Sequence, residues 1–80
     1  MTTVQRLRLA IFVKENLRRA RSSEGCPGNS MTIREAAKVL KVAHPQVLRW
    51  ESETGPAPEG KSLERAARFI EKRLRIARPS

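Results

Sequence analysis

Four side chains in the short run HPQVLRWES, residues 44–52, have the types and spacing to read the edges of base pairs. Gln46 and Arg49 stand three residues apart, one step along a helical face. A glutamine can pair with adenine through two hydrogen bonds and an arginine with guanine, each pairing discriminating by about 1–3 kcal/mol. Leu48 is apolar where such a helix faces water, and a thymine methyl would suit it. His44 completes the candidate base-reading set from the start of the helix, where a phosphate or the cap could also occupy it. Glu51 reads differently: phosphate repels a carboxylate, so it is expected to brace the loop rather than touch DNA.

A reading helix needs a scaffold, and the stretch Met31 to Glu51, MTIREAAKVLKVAHPQVLRWE, predicts one. It divides into two short helices joined by a tight turn. Ala36, Leu40, Val47 and Trp50 recur at helical spacing as the inner face, and Ala37 is the small residue where the two helices would touch. Val42 plugs the angle between them. Thr32 with Glu35 three residues on forms a capping-box signal for the first helix. Pro45 suits the opening of the second. Lys41 occupies the turn, where a left-handed backbone costs a non-glycine residue about 1 kcal/mol. Arg34 and Lys38, one turn apart on the outer side, join Thr32 and Lys61 as candidate phosphate contacts.

These residues resemble the helix-turn-helix of the Cro/C1-type (XRE-like) DNA-binding domains. The matching positions are Thr32, Ala36, Ala37, Leu40, Val42, Val47, Arg49, Trp50 and Glu51, followed by the loop TGPAPEGKS and a helix opening SLERAARFI. The likeness covers about residues 31–70. It implies an all-α domain in which the helix near 44–52 enters the major groove and the loop before Lys61 runs near the DNA backbone. Ile33, Lys41 and Ala43 depart from the glutamine, glycine and serine usual in that family. The opening TIREAAKVL is similar also to the MerR and excisionase helix-turn-helix. Those families follow it with a β-wing, for which residues 55–60 show no alternating apolar run.

The chain of 80 residues carries a formal charge of +9, with 17 lysines and arginines against 8 acidic residues. The charge is unevenly spread. Residues 1–21 hold six basic side chains and one acidic, net +5; residues 22–61 hold five of each; residues 62–80 hold six basic and two acidic, net +4. A neutral reading segment between basic flanks fits phosphate contacts that position without reading sequence. The sequence has no aspartate, no tyrosine and one histidine, no glycine-rich phosphate loop, and no nucleophile beside a base. Enzyme chemistry is therefore not expected. Neither a cofactor, a metal site nor a small-molecule ligand domain is expected. Cys26 is the single cysteine, without an internal disulfide partner or companion zinc ligands, which suits a reducing cytoplasm. No apolar run approaches the length of a membrane span, and the start lacks a signal-peptide plan.

The flanks predict two more helices. Residues 3–20 place Val4, Leu7 and Ile11 on one stripe and Ala10, Val13, Leu17 and Ala20 on a second, with Leu9 and Phe12 widening the face. Such breadth suits more than one neighbour. Residues 21–30, RSSEGCPGNS, read as a loop. A C-terminal helix is expected over 62–78, capped by Ser62. There Leu63, Ala67, Ile70, Leu74 and Ala77 fall at coiled-coil spacing, with Phe69 and Ile76 on its flank. Phe69, Ile70, Leu74, Ile76 and Ala77 are the expected dimerisation residues.

The fold expected is a single all-α domain, a small bundle of four main helices containing a helix-turn-helix. The function expected is sequence-specific binding of double-stranded DNA by a homodimeric, bacterial or phage-encoded transcriptional regulator, acting as a repressor. Two alternatives remain open. One is a DNA-binding accessory factor of recombination, excision or another mobile-element process. The other is an antitoxin-like module whose basic helices cover a protein partner.

Overall fold

The computed structural model describes residues 2–22 and 30–79 and is all-helical across them. Its elements are α1 (Thr3–Arg21), α2 (Ile33–Leu40), α3 (His44–Glu51) and α4 (Gly60–Leu74). The four form a small bundle whose largest interface is α1 on α4; α2 packs on α3 and α4, and α3 also touches α1. Residues 23–29, which carry Cys26 and most of the expected loop, lie outside the described residues.

Local chemistry explains the starts. Thr2 and Gln5 form a capping box on α1, and Thr32 and Glu35 form the expected one on α2. Each pairs two otherwise orphaned backbone donors at a helix start. The turn after α2 is left-handed at Lys41, with φ 60° and ψ 43°. It lets the N–H of Val42 donate to the Ala37 carbonyl at 3.0 Å, five residues back, which closes the helix end.

One core joins all four helices. Leu9, Phe12, Val13, Leu17 and Ala20 come from α1; Ala36, Ala37 and Leu40 from α2; Val47 and Trp50 from α3; Leu63, Ala66, Ala67, Phe69 and Ile70 from α4. Val42 is half-buried against this cluster, as a plug in the angle should be. Fully burying a leucine such as Leu17 contributes about 1.5–3 kcal/mol. Of the two α1 stripes, the second is the one that faces the bundle. Val4, Leu7 and Ile11 are each more than half exposed.

The last helix differs from expectation at both ends. It starts at Gly60 rather than Ser62, and Gly60 itself takes φ 58°, a turn into the helix that a residue without Cβ adopts freely. It ends at Leu74 rather than near residue 78, because Arg75 turns left-handed at φ 55° and ψ 43°. The chain beyond folds back, and Arg78 reaches Glu71 and Glu64 on α4 at 2.7 and 2.8 Å. Two carboxylates thus capture the tail that a continuing helix would have carried away.

Candidate nucleic-acid interface

Helix α3 is oriented by its two inward side chains. Val47 is fully buried and Trp50 nearly so. The remaining positions follow from helical geometry: His44, Pro45, Leu48, Arg49 and Ser52 are exposed, and Gln46 and Glu51 are half-buried on either flank. Leu48 keeps 52% of its surface in solvent. His44, Leu48 and Arg49 therefore share one outward face. Gln46 does not join them. It lies four residues before Trp50, so it sits at the edge of the buried arc and lines a recess with Trp50, Pro56 and Ala57.

The end of α3 is held by side chains from α1. Lys14 Nζ donates to the carbonyls of Trp50 at 2.9 Å, Ser52 at 2.5 Å and Gly55 at 3.0 Å. One ammonium thus ties the last turn of α3 to the loop that follows it, and supplies a donor at a helix end where carbonyls lack intrahelical partners. Arg21 makes a two-bond pair with Glu51: Nε to Oε2 at 2.5 Å and Nη2 to Oε1 at 2.8 Å. Its third nitrogen donates to the Met31 carbonyl at 3.0 Å, and the Met31 N–H returns a bond to the Arg21 carbonyl at 2.7 Å. The ends of α1 and α3 and the approach to α2 are pinned at one place. Glu51 is the brace expected of it, and its partner is a helix rather than a loop.

Gly55 completes the arrangement. A Cβ built there would stand 1.9 Å from the Arg49 carbonyl oxygen, so the loop can return across α3 only without a side chain at this position.

The expected phosphate contacts are all exposed. Arg34 and Lys38 lie one turn apart on α2, and Lys61 sits in the first turn of α4. The Thr32 hydroxyl accepts from the Glu35 N–H at 3.1 Å, and the Thr32 N–H donates to Glu35 Oε1 at 3.0 Å. The Thr32 backbone bond, then its side-chain bond, hold the Glu35 carboxyl below its ordinary range.

The expected dimerisation set is not brought together on a surface. Phe69 and Ile70 are buried within the chain's own core, because α4 packs that side against its neighbours. Leu74 is half-buried against the same cluster. Ile76 and Ala77 are exposed but stand beyond the helix end.

Two features were missed from the sequence. Lys14 lies four residues after Ala10 and three before Leu17, at the edge of the buried face, where a charged residue signals a carbonyl partner. Lys61, Arg65, Arg68 and Lys72 recur at steps of 4, 3 and 4 and are all exposed, forming a cationic stripe along α4. The apolar seam of the same helix has the same spacing and drew the reading instead.

Among the described residues no group of three or more histidines, cysteines or acidic residues is placed to hold a metal ion. No helix among them is long and apolar enough to cross a membrane. No protein-family model matches the sequence, and neither a curated protein nor a solved structure matches the chain.

Proposed function

We propose that this chain is a helix-turn-helix regulator of the Cro/C1 type that binds double-stranded DNA, with α3 as its recognition helix. One observation carries the reading: a short helix held at its end by Lys14 and Arg21 turns His44, Leu48 and Arg49 outward together. Arg49 is the principal base reader, suited to guanine, and Leu48 meets a thymine methyl. His44 contacts the groove edge at the helix start. Gln46 reaches bases only from the flank. Arg34, Lys38 and Lys61 take phosphates, with Thr32 beside them at the start of α2. The overall charge of +9 supplies the long-range attraction.

The regulator acts as a homodimer and a repressor in the bacterial cytoplasm. The exposed Val4, Leu7 and Ile11 of α1 are the pairing surface that favours this, in place of α4. A two-fold pair doubles the base contacts and places its half-sites about 34 Å apart or a multiple of that.

Selection of bound sequences from a random DNA pool tests the reading. A palindromic consensus is expected, bound more tightly than its half-site, with affinity falling steeply between about 50 and 200 mM salt. Arg49→Ala is expected to relax preference at one position by about 1–3 kcal/mol. No enrichment, or a preference unchanged by replacing Leu48 and Arg49 together, would overturn it.

A further inference from the structure

We propose that the groove between α2 and α4 is a docking site for an acidic amphipathic protein segment. The groove encloses about 400 Å³. Met31, Val39 and Phe69 form its apolar part, and Arg65, Arg68 and Lys72 stand around it as cations. Arg73 also lines it, with its guanidinium carbon 5.9 Å from the centre of the Phe69 ring. The site shares no residue with the proposed base-reading face and does not depend on it.

The charge around the groove is one-sided for a structural reason. Glu64 and Glu71 are the acidic residues of α4, and both lie on its other flank, where Arg78 takes them up at 2.8 and 2.7 Å. Arg68 makes a long contact of 3.6 Å with Glu64 on an exposed surface, too weak to neutralise it. Among the described residues Arg65 and Lys72 have no ion-pair partner. Among the described residues no carboxylate lines the groove.

The apolar part decides between two anionic occupants. A DNA backbone would pair with the cations but gain nothing from Val39, which keeps 54% of its surface exposed between charged walls. A helical segment with one apolar face and flanking carboxylates satisfies both: its large side chains enter the groove and its acids meet the rim. The volume suits one or two such side chains. Charge complementarity and the exposed apolar residue thus select a protein segment.

The test uses the full chain and a fluorescent synthetic peptide. In the peptide, glutamates flank leucine and phenylalanine placed at helical i, i+3, i+4 and i+7 positions. A scrambled peptide, polyglutamate and a random-sequence DNA duplex serve as comparisons. By fluorescence anisotropy the amphipathic peptide should bind at least about tenfold more tightly than the scrambled peptide or polyglutamate. On the unaltered protein, the methyl resonances of Met31 and Val39 should shift as it binds. Val39→Asp and the pair Arg65→Glu with Lys72→Glu should each weaken the peptide about tenfold. Val39→Asp should leave duplex affinity within about twofold. Equal binding of polyglutamate, unmoved methyl resonances, or peptide binding that survives Val39→Asp would overturn the proposal. A charge reversal that lowers duplex affinity and leaves the peptide bound would assign the stripe to DNA instead.

Discussion

Arg21, the last residue of α1, grips Glu51, the last residue of α3, through two hydrogen bonds across a gap of 30 residues in sequence. The side chains are 18% and 9% exposed, so water screens the pair poorly. Removing Glu51 leaves a guanidinium without its carboxylate. Glu51→Ala should therefore cost roughly 2 kcal/mol of folding stability. A double-mutant cycle with Arg21→Ala should give a coupling above about 1 kcal/mol by chemical denaturation. Additive effects would deny the pair its role in seating α3.

Lys14 supports the same helix end by a different route. Lys14→Met keeps an apolar stem and removes the donor to three carbonyls. A loss of about 1.5–3 kcal/mol is expected. Amide exchange should accelerate first around residues 52–55, where two of the three carbonyls lie. If the proposed function holds, affinity for the selected DNA should fall as well, since the reading face loses its support.

Of the two described glycines, Gly55 carries the sharper steric requirement. Gly55→Ala brings a methyl against the Arg49 carbonyl, and backbone atoms cannot swing aside as a side chain can. Thermal unfolding should register a loss of roughly 1–3 kcal/mol. An unchanged midpoint would mean that the loop crosses α3 differently.

Lys41 offers the opposite sign. Its left-handed backbone strains any residue with a Cβ. Lys41→Gly should stabilise the fold by up to about 1 kcal/mol. The gain should appear in the denaturation midpoint with an unchanged slope.

Glu35 sets a pH dependence. Its carboxyl titrates below the ordinary value of 4.5 because the Thr32 N–H, and then the Thr32 side chain, bond its charged form. A depressed folded-state value means that the stabilisation is fully present above pH 4.5 and is lost as pH falls through the folded-state value. Glu35→Gln removes that titration. The difference between the two melting curves should be steady above pH 4.5 and shrink below it. A difference independent of pH would show that the carboxylate's charge contributes nothing to the cap.

Much of this was written locally in the chain. The two helices around the turn, the Thr32–Glu35 cap, the inward Val47 and Trp50 and the strained Lys41 all depend on residues within one or two turns of each other. Helical spacing and cap chemistry determine such features before any distant part of the chain arrives. Tertiary structure decided the rest. Periodicity shows which residues are apolar together but not which of two stripes meets a neighbour. The bundle buried Val13 and Leu17 and left Leu7 and Ile11 outside. It likewise drew Phe69 and Ile70 into the core rather than onto a surface. The position of Gln46 at the edge of α3, the reach of Lys14 to Gly55, and the pairing of Arg78 with Glu64 depend on where whole helices pack and where a tail folds back. Those contacts join residues far apart in sequence, and no short-range pattern encodes them.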